Sequence, residues 1–136
     1  RAGRKTYAGY GEETASSRPA SHDYHYQEGE WTYIDTWLGG ERFAGQEAVW
    51  HGDTCLYAMN YCGRVVGENF SGDFLKAALR AAPDDRPFRG PAHFGDGDNC
   101  YECAMEGGLD WFQGYEEIRW QDEKVYECFF HGGKMG

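Results

Sequence analysis

Apolar positions along this chain fall into three regimes. From Trp31 onward, aromatic and β-branched residues alternate with polar ones and are broken by Gly pairs. That two-residue period is the signature of β-strands. Over 71–83 the period lengthens, and Phe74, Leu75, Ala78, Leu79 and Ala82 mark one face of a helix. Ser71 is placed to cap it, Asp73 suits its positive first turn, and Pro83 ends it. After a loop containing Pro87-Phe-Arg-Gly-Pro91 the strand pattern resumes and runs to the C-terminus. Residues 1–29, with Gly3, Gly9, Gly11, the run Ser16-Ser17-Arg18-Pro19 and Ser21, hold no sustained period and read as a loop-rich segment.

The two strand regions echo each other at an offset of 69 residues. Phe43-Ala-Gly-Gln-Glu47 aligns with Phe112-Gln-Gly-Tyr-Glu116, and Asp53, Tyr57, Tyr61 and Gly63 align with Asp122, Tyr126, Phe130 and Gly132. With one residue of slip, Glu28-Gly-Glu30, Tyr33 and Gly39-Gly40 align with Asp96-Gly-Asp98, Tyr101 and Gly107-Gly108. Each copy reads as strand, Gly-Gly turn, strand, Asp-containing turn, strand. The expectation is a single α+β domain over 1–136. It consists of an antiparallel sheet of two pseudo-repeated three-stranded meanders, at 30–65 and 96–134, joined by one central helix at 71–83.

Turn length assigns faces. With Asp53-Thr54 and Asp122-Glu123 as two-residue hairpin loops, Glu116, Ile118, Trp120, Val125, Glu127, Phe129 and His131 share one face. The equivalent face of the first copy holds Gly45, Glu47, Val49, His51, Leu56, Ala58, Asn60 and Cys62, while Tyr57, Met59, Tyr61, Tyr115, Tyr126, Cys128 and Phe130 lie opposite.

Composition modifies the picture in one respect. The chain of 136 residues has only 19 Leu, Ile, Val and Phe, and with a net charge of -10 that scarcity points toward disorder. Ten Tyr, 5 Trp and 8 Phe reverse the inference, because each aromatic ring can bury about 150–250 Å². The acidic balance, 13 Lys+Arg against 23 Asp+Glu, argues against direct nucleic-acid contact and against an anionic membrane surface. Five cysteines, an odd number in a chain long enough to bury a core without staples, point to reduced thiols and a cytoplasmic location. No apolar run is long enough for a signal peptide or a membrane span, and a start at Arg1 rather than Met implies that an upstream segment was removed.

The matched acids Glu47 and Glu116 are the leading candidate site. A carboxylate among apolar and aromatic groups calls for a cation or hydrogen-bond donors. One reading is a cleft in which both glutamates, with Tyr61, Trp50, Arg89 and His131 nearby, hold a cationic or amine-bearing ligand. The other is architectural, each glutamate serving a bulge at Gly45 or Gly114 or pairing with Arg64 or Arg89. Cys100-Tyr-Glu-Cys103 lacks a second ligand pair and lies in a strand, where residues three apart face opposite ways, so it reads as structural. His22 and His25 have a spacing that permits a zinc site, and His131 at the end of a strand could serve as a base. No nucleophile elbow, phosphate loop, dinucleotide fingerprint or kinase motif occurs, so no catalytic residue, metal or cofactor is called for.

Several strings together resemble a known family: Thr6-Tyr-Ala, Ser16-Ser-Arg-Pro19, Ser21-His-Asp23, Tyr33-Ile-Asp-Thr36, Phe43-Ala-Gly45, Met59-Asn-Tyr61, Phe70-Ser-Gly-Asp-Phe-Leu75, Phe88-Arg-Gly-Pro91, Trp111-Phe112 and Val125-Tyr-Glu-Cys128. They are similar to an uncharacterised bacterial domain family of unknown function, found alone and as the C-terminal part of proteins with a phage-repressor-type helix-turn-helix. The resemblance implies a short helix before Lys5 and a sensor or partner-binding module attached to transcriptional regulators. It supplies no catalytic residues. The expected function is therefore small-molecule sensing. The alternatives are a protein-interaction or homodimerisation module without a ligand, and a metal-dependent enzyme using His22, His25 or His131.

Overall fold

Among the described residues, alternating aromatic and polar positions produce eight strands, and all of them join one antiparallel sheet. The computed structural model describes residues 13–82 and 89–136. The loop reading of 1–12, the implied helix before Lys5, and the roles of Pro83, Pro87 and Phe88 lie outside the described residues. The first half runs β1 (His22–Glu28), β2 (Trp31–Gly39), β3 (Arg42–His51) and β4 (Thr54–Val65). Then come α1 (Gly72–Arg80), β5 (His93–Asp96), β6 (Asn99–Gly108), β7 (Trp111–Trp120) and β8 (Glu123–Lys134). The sheet order is β1-β2-β3-β4-β8-β7-β6-β5. The halves meet along β4 and β8, where Tyr61 lies opposite Phe130. These two residues are repeat-equivalent, so an approximate two-fold axis passes between them.

The α+β expectation is overturned. Among the described residues the fold is nearly all sheet, with a single helix of 9 residues. Each meander has four strands rather than three, because β1 and β5 were read as loop. Both are the outer edges of the sheet. An edge strand needs a partner on one side only and tolerates charge. The polar run His22-Asp-Tyr-His-Tyr-Gln-Glu28 and the four residues of β5 therefore carry too little apolar alternation to be noticed.

The repeat extends to backbone detail. Gly39 and Gly107, at equivalent turns, adopt φ +94° and +92°. The ladder slips after Val49 in one copy and after Ile118 in the other, again 69 residues apart. The hairpin loops themselves are Gly52-Asp53 and Gln121-Asp122, one residue earlier than the sequence pattern placed them. Gln121 and Asp122 both have positive φ, at 48° and 64°, as a type I′ turn requires. The loop shift alone moves the pairing by two residues and keeps the faces; the slips after Val49 and Ile118 add the odd residue that exchanges them. Glu116 pairs with Cys128, and Glu47 with Met59. Both acids therefore share a face with Tyr61, Tyr126 and Phe130, and His131, Phe129 and Asn60 lie on the other side.

The helix covers the first of these faces. Ser71 Oγ accepts the N–H of Phe74, and Phe74, Leu75, Ala78 and Leu79 press their buried side onto the sheet. Beneath them lie Met59, Tyr61, Tyr101, Ile118, Tyr126, Cys128 and Phe130. Among the described residues no helix is long and apolar enough to cross a membrane.

The central cross-strand row sets large rings beside glycine. Tyr61 is opposite Gly45, and Phe130 is opposite Gly114. A Cβ on Gly45 would stand 2.6 Å from the Tyr61 hydroxyl oxygen, and one on Gly114 would stand 2.2 Å from Phe130 Cζ. The phenol of β4 can thus cross β3 and reach β2. We expect Gly45→Ala to cost about 1–3 kcal/mol in urea unfolding. Gly40→Ala, with no atom within 4 Å of its Cβ, should change little; equal effects at the two positions would refute this account.

Candidate functional site

Glu116 points inward from β7 and is completely buried, a placement that requires donors. It has four. Arg89 donates from Nε to Oε1 at 3.1 Å and from Nη2 to Oε2 at 2.7 Å. Tyr101 donates to Oε1 at 2.5 Å, and Tyr126 to Oε2 at 2.6 Å. Burial by itself would raise the carboxyl's pKa, but the Arg89 charge and these hydrogen bonds hold it below the usual range. The first copy repeats half of the arrangement: Tyr33, equivalent to Tyr101, donates to Glu47 at 3.1 Å.

The two glutamates do not meet. Two strands separate β3 from β7, so three strand spacings, roughly 14 Å, lie between them across the sheet alone. The concave chemistry gathers instead beside the Arg89–Glu116 pair. A cavity of about 140 Å³ opens there, lined by Asp35, Trp37, Phe43, Tyr61, Phe70 and Arg89, with Tyr126 and Leu75 behind. Tyr126 stacks between Phe43 and Phe70, with ring centroids 6.3 and 5.4 Å away. The Arg89 guanidinium lies 5.4 Å from the Tyr61 ring centroid.

Asp35 is the distinctive group. It is 4% exposed, and Tyr61 donates to its Oδ1 at 2.5 Å, crossing over Gly45. Burial pushes its carboxyl up to about 6, against the Tyr61 hydrogen bond and the Arg89 charge, and Asp23 adds to the rise. Asp35 also lines the cavity, beside Trp37 and Arg89. The Arg89 charge is spent on Glu116, and Cys128, pushed up to about 12 chiefly by burial, stays a neutral thiol. Above pH 6 the net charge of the cavity is therefore that of Asp35.

Among the residues proposed from sequence, the structure assembles Arg89, Glu116 and Tyr61. Glu47 shares their face at a distance. Trp50 and His131 occupy the opposite face, where His131 is exposed and pairs in register with Asn60. Arg64 pairs with Glu127 at 2.8 Å on that same side. His22 and His25, three apart in β1, face opposite ways; His22 contacts Glu13 at 3.1 Å and stacks on Trp37. Cys100 and Cys103 are likewise divided, Cys103 buried opposite Glu116 and Cys100 at the outer side. The sequence reading passed over Asp35, Trp37 and Tyr126. A polar residue two positions after Tyr33 in an inward-facing row was the available signal, and it becomes legible only when the register is right.

No curated protein and no solved structure matches the chain. Residues 35–135 match the model of a family described as a domain of unknown function, DUF5680. That segment contains every residue lining the cavity, and the chain belongs to the DUF5680 family.

Proposed function

We propose that this domain is a ligand-binding module whose cavity takes a small organic ammonium ion, with Asp35 as its counter-ion and the rings of Trp37, Phe43, Tyr61 and Phe70 as its walls. The observation that carries the reading is the buried Asp35 carboxylate lining an aromatic-walled cavity whose arginine is already paired with Glu116. Aromatic faces and a carboxylate are complementary to a cation. A volume of about 140 Å³ limits the ligand to about the size of benzene. The sequence resemblance supports the further reading that the module senses its ligand beside a transcriptional regulator in a bacterial cytoplasm.

The test is a thermal-shift panel of benzylamine, choline and their neutral isosteres on the whole chain. Benzylamine or choline should raise the melting temperature and the isosteres should not. Affinity should rise between pH 5 and pH 7, as Asp35 ionises, and be lost in Asp35→Asn. An equal shift with neutral isosteres, or retention of binding in Asp35→Asn, would reject the reading. A second reading, self-association, draws on the exposed rings of Trp111 and Phe129, which are 77% and 57% accessible. It predicts a concentration-dependent mass in ultracentrifugation.

A further inference from the structure

We infer that His93, Cys100 and Glu102 form a zinc site on the β5–β6 edge of the sheet, remote from the cavity. Their ligand atoms lie within 4.8 Å of one another, and among the described residues they are the one group of His, Cys, Asp and Glu so arranged. The antiparallel register builds it: His93 is directly opposite Glu102, and Gly95 opposite Cys100. All four positions face the same side. His93 Nδ1 stands 3.8 Å from Glu102 Oε2 and 3.7 Å from Cys100 Sγ. Tetrahedral zinc with ordinary bond lengths sets its ligand atoms about 3.4–3.6 Å apart, so these two edges need to close by only a few tenths of an ångström.

Gly95 makes the diagonal reach from His93 to Cys100 feasible. A Cβ there would stand 3.6 Å from His93 Nε2, so the imidazole lies back across a position with no side chain of its own. One sulfur, one imidazole nitrogen and one carboxylate oxygen suit zinc far better than calcium or magnesium. The cation paired with Cys100 in register, Arg119, does not compete. Its Nε donates to Glu117 at 2.6 Å and its Nη1 to the Asp122 carbonyl at 3.1 Å. On binding, the Cys100 S–H bond breaks, its proton leaves to solvent, and sulfur bonds to the metal. Thiolate and carboxylate then balance the two positive charges, and water takes the fourth position. The ion would staple a four-residue edge strand to its neighbour. Cys103 takes no part, being buried on the other face.

The whole chain, stripped with a chelator, is titrated with zinc and with cobalt(II). One ion per chain is expected, with tetrahedral cobalt absorption, a thiolate-to-cobalt charge-transfer band, and displacement by zinc. Cys100→Ser should abolish the band, and His93→Ala or Glu102→Gln should weaken binding roughly tenfold or more. Cys62→Ser, at the exposed thiol of β4, should change nothing. X-ray absorption of the zinc-loaded wild-type chain needs no variant and should show one sulfur and one imidazole nitrogen around the metal. No saturable binding, a band that survives Cys100→Ser, or an all-oxygen shell would overturn the inference.

Discussion

Replacing Arg89 with alanine is expected to cost about 3–5 kcal/mol of stability, a fall of roughly 10–20 °C in Tm for a chain of this length. The arginine side chain is 9% exposed and the glutamate it neutralises is fully buried. Without the guanidinium, Glu116 keeps two phenolic donors but no counter-charge, in a place water does not reach. The result should be an uncompensated buried anion or a carboxyl forced to take up a proton. Glu116→Gln keeps an acceptor for only one of the two phenols, Tyr101 on Oε1 and Tyr126 on Oε2, leaves the cation unbalanced and is expected to be damaging too. The double variant Arg89→Ala with Glu116→Gln removes both charges and should be less damaging than the sum of the single changes. Urea unfolding of the four chains measures this cycle. An Arg89→Ala cost below about 1 kcal/mol, or strict additivity in the cycle, would show that the buried pair is not coupled.

Much of this architecture is legible in the chain because the repeat is written in residues that define turns and inward rows. Gly39 and Gly107, Tyr33 and Tyr101, Glu47 and Glu116 occupy equivalent places in the sheet, and the axis runs between the equivalent Tyr61 and Phe130. The helix cap at Ser71 is equally local in origin. Register is not local. The turn at Gln121-Asp122 depends on two non-glycine residues at positive φ, and the ladder slips by one residue after Ile118. Neither has a strong sequence signal, and a one-residue difference reverses which side chains face inward. This is why Arg89, Glu116 and Tyr61 were found while Asp35 and Tyr126 were not. It is also why the expected face sets His131 beside Glu116, whereas the structure places it on the far side. The His93, Cys100 and Glu102 cluster escaped notice for a related reason: the strand that presents His93 is four residues long.

Asp35→Asn should stabilise the domain at pH 8 by about 2–3 kcal/mol and leave it nearly unchanged at pH 4. The carboxyl titrates near 6 in the fold against 3.8 as a free side chain, so between those values the folded chain holds more protons than the unfolded one. Stability therefore falls as pH rises from about 4 through about 6. Two pH units at about 1.4 kcal/mol each set the size of the loss. Asparagine keeps an acceptor for the Tyr61 hydroxyl but carries no charge, so the variant's profile should be flat across that window. Asp23, held down to about 2 by Ser21 and Ser17 hydrogen bonds against its burial, acts in a separate range. So does Glu127, lowered to about 2 by Lys124 and Arg64. Both favour the fold above pH 4 and lose that contribution only as pH falls toward 2. Denaturant midpoints of the two chains from pH 4 to pH 8 decide the matter. A variant that is less stable at pH 8, or that retains the wild-type slope, would mean that the carboxylate is a structural acceptor. The expected outcome has a functional consequence. Under the proposed function, a cation seated beside Asp35 is the partner that would return the lost stability.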